Sequence, residues 1–232
     1  MPRRRIIPMM TPFCETKICR RLSSVRHGVI VLLGTGQHGK TVSMHALLAS
    51  EPLRDRNVAM INYPKGFVAG NFPSRYRSVR WPEELDDFPR LIHPSRDVVA
   101  IDDAAWLVGA RDHASRDNKD LQKLLTIASH HELFFILTIQ NSSMLDILMM
   151  QSQDIYLFHK HMDPLSLEYE RPMIKTRQVV ANTMLSEYAK ANPELHPKGW
   201  LYCTTTWEMV YNEPPSWWQP KLSKPYYGVI PG

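Results

Sequence analysis

Gly28-Val29-Ile30-Val31-Leu32-Leu33-Gly34-Thr35-Gly36-Gln37-His38-Gly39-Lys40-Thr41 is the stretch from which the rest of the chain can be read. Its first six residues are a continuous apolar run rich in β-branched side chains. Such a run predicts a strand buried on both faces, as in a parallel sheet. Residues 34–41 then satisfy G-x-x-x-x-G-K-[ST] at every fixed position. The glycines open backbone angles denied to other residues, so successive N–H groups can turn inward around an anion. Lys40 can reach the β- and γ-phosphates of a nucleotide, and the Thr41 hydroxyl can ligate magnesium. Residues 40–50 read as a helix with Val42, Leu47 and Leu48 facing inward, its positive end aimed at the same anion. Gly34, Thr35, Gly36, Gln37, His38, Gly39, Lys40 and Thr41 are therefore the predicted phosphate-binding loop.

Outward from that loop, the apolar strand over residues 97–101 ends in Asp102-Asp103. A hydrophobic strand that delivers a carboxylate to its C-terminal end is what a magnesium site beside such a loop needs. Asp102 is expected to hold the metal, directly or through water, and Asp103 to polarise the attacking water. The apolar run 133–139 closes on Gln140, which a parallel sheet would bring to the ligand crevice; capping of the next helix is its bland alternative. Residues 58–63 and 154–159 read as further strands. A helix is expected from Pro172 to about Ala191, ended by Asn192-Pro193, and a closing strand pair over 199–204 and 206–211. Ser142 or Ser143 can cap a short helix reaching residue 150, and residues 110–120 form a loop entering a helix over 121–130. Residues 64–96, rich in Pro, Arg and aromatics, are expected to wander over the surface, and residues 1–27 to form an irregular basic lead-in. The expectation is an α/β fold with a mainly parallel central sheet and helices on both faces.

The whole-chain numbers fit one domain with extensions: a lead-in over 1–27, a core over 28–211, and a Pro- and aromatic-rich tail over 212–232. The 232 residues suffice for a sizeable core, and 44% hydrophobic with 22% charged content is ordinary globular composition. No apolar run is long enough for a membrane span or a signal peptide, and the protein is expected to work inside a cell. The three cysteines, Cys14, Cys19 and Cys203, make no disulfide framework. Cys14, Cys19 and His27 lack a fourth ligand at zinc spacing, so idle thiols are the expectation. The net charge of +5, with seven Lys and Arg crowded into the first 26 residues, permits contact with phosphate backbones.

The ordered set GTGQHGKT, VVAIDD, FFILTIQNS and DIYLFHK resembles the FtsK–HerA superfamily of DNA-pumping ATPases. Within it, the chain is similar to the genome-packaging ATPases of tailless icosahedral viruses with an internal membrane, over roughly residues 28–211. The resemblance implies a RecA-like core in which the glutamine strand lies between the loop strand and the acidic strand. It implies ATP and Mg2+ as ligands, with Lys40 and Thr41 as the Walker A pair, Asp102 and Asp103 as Walker B, and Gln140 as sensor. It further implies a homo-oligomeric ring, a hexamer, around double-stranded DNA, with capsid or membrane-vertex proteins as docking partners. The setting implied is host cytoplasm or virion. Two features depart from the pattern: many relatives carry Glu where Asp103 stands, and Ser129-His130-His131 offers no arginine before the glutamine strand. Arg111, Arg116, Lys160, Arg171 and Arg177 are the candidates for a cation acting on a neighbour's nucleotide.

Other readings stay open. A GTPase switch would want N-K-x-D, and Asn118-Lys119-Asp120-Leu121 has leucine in place of the aspartate. A small-molecule kinase would want an arginine-rich lid, which residues 71–90 keep in play. A conjugation or phage-assembly ATPase of the same superfamily would move a different polymer. Trp217, Trp218, Tyr226 and Tyr227 on the tail suit docking to a neighbouring subunit or capsid partner, or packing back on the domain, with stacking on bases a lesser alternative.

Overall fold

The run at residues 28–33 is a fully buried strand in the computed structural model, which describes residues 11–80, 96–104, 132–144 and 154–224. The strands are β1 (Gly28–Leu33), β2 (Asn57–Ile61), β3 (Tyr76–Val79), β4 (Asp97–Ile101), β5 (Phe134–Ile139), β6 (Ile155–His159), β7 (Trp200–Cys203) and β8 (Glu208–Tyr211). They form one sheet in the order β3-β2-β4-β5-β1-β6-β7-β8. The first six strands pair in parallel, and β7 and β8 add an antiparallel edge. The glutamine strand β5 thus lies between β1 and the acidic strand β4, as the resemblance implied.

Alternation explains why so apolar a strand is required at the centre. Ile30 and Leu32 face one core cluster, with Met44, Leu47, Leu48, Ile18 and Leu22. Val29, Val31 and Leu33 face the other, with Met162 and Ile174. Side chains alternate across a strand, and both faces are covered by helices, so neither set can be polar. Each buried Val, Leu or Ile here contributes roughly 1.5–3 kcal/mol relative to exposure.

Among the described residues the helices are α1 (Lys17–Ser23), α2 (Lys40–Ala49), α3 (Lys65–Asn71), α4 (Pro164–Glu168) and α5 (Pro172–Ala191). The long helix α5 begins with Pro172 in its first turn, where a missing N–H costs nothing. It packs Ala181, Leu185 and Tyr188 on Trp200, Tyr202 and Tyr211 of the antiparallel edge. No described helix is long and apolar enough to cross a membrane.

Two expectations fail here. Residues 17–23 are helical, not irregular: Thr16 accepts from Cys19 N–H, and Glu208 on β8 accepts from the N–H groups of Lys17 and Ile18 at 3.1 and 2.7 Å. Within residues 64–96, a short helix and a parallel edge strand stand where a wandering surface segment was expected. The expectations at residues 3–5, 110–131, 145–150 and 226–227 lie outside the described residues.

Two buried histidines give the fold an acid weakness. His45 on α2 is enclosed by the rings of Phe72, Tyr76, Trp217 and Trp218, and burial holds its pKa down to about 3. Burial likewise holds His159 at about 4, its ring nitrogens against Gln178 Oε1 (2.6 Å) and Thr204 Oγ1 (3.0 Å). Each folded-state pKa lies below the unfolded value of about 6.5, so the unfolded chain binds the proton first. Stability is therefore full above about pH 6.5 and falls with pH below it, by about 2 kcal/mol per histidine at pH 5. His45→Phe should remove its share. Denaturant midpoints at pH 7.5 and 5 check this, and an unchanged pH dependence in the variant would refute it.

Candidate nucleotide site

The loop between β1 and α2 is fixed from below by the end of β6. Lys160 N–H donates to Leu33 O at 2.7 Å and Thr35 N–H to His161 O at 3.3 Å. A side chain at Gly34 would sit 2.7 Å from Lys160 Cβ and 3.0 Å from His161 O, with φ at +154°, so this crossing admits only glycine. Gly39 caps α2 in the left-handed region, φ +85°, and brings no side-chain acceptor. The first-turn N–H groups of α2 are thereby left to the cleft, an arrangement that binds anions.

Lys40 is largely buried across this loop, its Nζ donating to Gly34 O (2.7 Å) and Thr35 O (3.0 Å). Burial lowers its pKa, while Asp103 and Asp102 pull it back up. Three hydroxyls converge on Asp102. Thr41 donates to its carboxylate at 2.9 Å, Tyr63 at 2.9 Å and Thr138 at 2.6 Å. Thr138 also accepts from Asp103 N–H at 2.7 Å, so one hydroxyl aligns both acids. Asp103 adopts φ +50°, a conformation that Asp tolerates better than most residues. Its pKa is raised by burial, against which the Lys40 charge and a hydrogen bond from Gln140 act.

Most of the sequence-derived set comes together: Gly36, Gln37, Gly39, Lys40, Thr41, Asp102, Asp103 and Gln140 meet at the C-terminal ends of β1, β4 and β5, whereas His38 turns to a second cleft, with Lys160 and His161. The former residues line one cleft of about 530 Å³, a size suited to a small-molecule ligand. The Thr41 hydroxyl and the Asp102 carboxylate supply hard oxygen donors side by side. That donor set fits magnesium, which takes one or two protein ligands and completes its shell with phosphate and water. Among the described residues no cluster of three or more His, Cys, Asp or Glu side chains offers a competing metal site. Cys19 is buried, with its thiol against Glu51 O, and Cys14 is exposed.

Thr138 and Tyr63 were missed from the sequence. Thr138 lies two residues before Gln140 and so shares its strand face, a signal that alternation could have given. Tyr63 carries no comparable mark. Also missed is the wall that His196, Lys198, Pro214, Trp218, Pro220, Ser223 and Lys224 add to the cleft. Of the candidate cations, Lys160 is fully buried and donates to Lys198 O and Trp200 O at 2.7 and 2.6 Å, so it cannot reach a neighbouring subunit. Arg177 lies over the Trp207 ring, 5.8 Å from its centroid. Arg111 and Arg116 lie outside the described residues.

With a glycine loop between β1 and α2, an acidic pair at the end of β4 and the glutamine strand between them, the fold is settled. It is a RecA-like P-loop fold. Among solved structures the chain is similar to B204, the DNA-packaging ATPase of Sulfolobus turreted icosahedral virus. The identity is 13%, covering 81% of this chain and 98% of that one, with a TM-score of 0.49. It is also similar to the N-terminal domain of zonular occludens toxin from Neisseria meningitidis (17% identity, 57% and 76% covered, TM-score 0.43). The KaiC-like protein PH0186 from Pyrococcus horikoshii OT3 shares 13% identity over 57% of this chain and 71% of that one, with a TM-score of 0.37. No family model matches the sequence, and no curated protein does. At these identities and scores the likenesses say nothing of activity, and the chain's own residues must carry any functional reading.

Proposed function

We propose that this chain is an ATP-hydrolysing double-stranded DNA translocase, a viral genome-packaging motor that works as a homo-oligomeric ring. The observation that carries the hydrolytic part is the network around the two acids. Asp102 is held by Thr41, Tyr63 and Thr138, while Asp103 is turned to the cleft with its backbone fixed by Thr138. Asp103, partnered by Gln140, is placed to orient and deprotonate a water. Lys40 and the N–H groups at the start of α2 bind the phosphates and stabilise the charge that develops on them. Thr41 and Asp102 would hold magnesium, which when bound supplies further neutralisation of that charge.

DNA as the polymer is supported by the sequence resemblance and by the net charge of +5. Contacts of that kind go to the phosphate backbone and weaken with salt. Hydrolysis is therefore expected to rise when long linear double-stranded DNA is added at low salt, and the stimulation to fade as salt is raised. Steady-state ATP turnover with and without DNA measures this. Turnover indifferent to DNA at every salt concentration would favour a conjugation or phage-assembly ATPase that moves another polymer.

A further inference from the structure

The cleft has a phosphate end and an acid end, and both are accounted for. What remains is the wall on the far side of Lys40 and Thr41, built from the 196–198 turn and from the tail after β8. A nucleotide whose phosphates sit on the loop, with its terminal phosphate toward Asp103 and Gln140, must extend its nucleoside against that wall. The tail is held there at three points. Asn212 Nδ2 donates to Ser50 Oγ at 3.1 Å, just past the end of α2. Trp217 and Trp218 pack on His45, one turn beyond Thr41 on the same helix, with ring centroids 5.6 and 5.1 Å away. Leu222 is buried in the core cluster that also holds Met44 and Leu47. Trp218 is half-buried: the indole rests on His45 and also borders the cleft.

We infer that the tail segment 214–223 is the nucleoside-binding wall of this site, with Trp218 as the stacking surface for a purine base flanked by Pro214 and Pro220. The inference rests on the nucleotide site proposed above and assigns its base-recognising part. Apolar rings next to a polar phosphate cradle suit a flat heterocycle, which every base offers and purines offer most. Two polar groups of the wall are engaged within it: Ser223 Oγ donates to Pro220 O, and His196 Nδ1 accepts from Lys198 N–H. The Lys198 and Lys224 side chains also line the cleft and bring cations suited to the anionic phosphates. Selection of purine over pyrimidine by this wall is by stacking area, so ATP and GTP both bind more tightly than CTP or UTP.

The test compares binding of ATP, GTP, CTP and inorganic tripolyphosphate, each with magnesium, to wild type, Trp218→Phe and Trp218→Ala. Tripolyphosphate has the phosphates and no base, so it reports the loop alone. Trp218→Ala should weaken ATP by about 5- to 100-fold, the range for loss of one base-stacking ring, and leave tripolyphosphate unchanged. Trp218→Phe should recover most of the ATP affinity. Equal weakening of ATP and tripolyphosphate would show that Trp218 only supports the fold, and would overturn the inference. So would unchanged ATP affinity in Trp218→Ala, or CTP bound as tightly as ATP. If wild type binds neither ATP nor tripolyphosphate, the nucleotide reading itself fails.

Discussion

Asp103→Asn is expected to bind ATP about as well as wild type and to hydrolyse it roughly 10²–10⁴-fold more slowly. The substitution keeps the shape and the backbone N–H donated to Thr138 at 2.7 Å, and removes the negative charge together with the capacity to take a proton. Its effect should therefore fall on kcat rather than on affinity. The pH dependence gives a second handle. Burial raises the Asp103 pKa above the ordinary carboxylate value, with the Lys40 charge and the Gln140 hydrogen bond pulling the other way. The carboxylate is protonated, and lost as a base, as pH falls through that raised value. The acid limb of kcat/KM should thus lie above the usual carboxylate range of about 4. Single-turnover hydrolysis beside equilibrium binding decides it. An Asp103→Asn protein with wild-type turnover would remove Asp103 from the chemistry and leave Asp102 alone at the site.

Lys40→Ala is expected to lower kcat/KM for ATP by at least about 10²–10³-fold, the scale for losing one preorganised group at a site of developing charge. The ammonium lies within the loop, donating to Gly34 O and Thr35 O, and is largely shielded from water. Shielding strengthens its interaction with a phosphate relative to an exposed lysine. Lys40→Arg should not rescue, because the pocket beneath the first turn is shaped for a single Nζ and a planar fork would displace the loop. Nucleotide affinity and turnover measured together check this. Wild-type kcat/KM in Lys40→Ala would mean that residues 34–41 are a glycine turn with an incidental lysine.

The parallel strands were legible because burial on both faces leaves continuous apolar runs. Gly28–Leu33, Asp97–Ile101 and Phe134–Ile139 show all residues buried, and their expected bounds are met within a residue. Edge strand β3 escaped notice for the converse reason: only Tyr76 and Val79 are buried, and Arg77 and Ser78 between them break the pattern. Helix α1 carries three basic residues among seven and hides an apolar side of Ile18, Cys19 and Leu22. That side has meaning only once β8 supplies Glu208 to its N-terminus.

The site shows the same division. Glycines, a lysine and a strand-terminal Asp pair declare themselves through fixed spacing and chemistry. Thr138 is marked only by sharing a strand face with Gln140, and Tyr63 not at all, since a hydroxyl in or beside a strand is as ordinary as any β-forming residue until a carboxylate from another strand meets it. The tail reads as proline and tryptophan with no period, and its place at the cleft follows from rings packing on His45 seven residues past the phosphate loop's His38.

Steady-state ATP hydrolysis by wild type and Lys40→Ala, with and without long double-stranded DNA at low salt, decides whether this cleft hydrolyses ATP to move DNA. Wild-type turnover is expected to rise on adding DNA, and the variant to show background turnover under both conditions. Wild-type hydrolysis unchanged by DNA, or DNA-stimulated hydrolysis that survives Lys40→Ala, would contradict it.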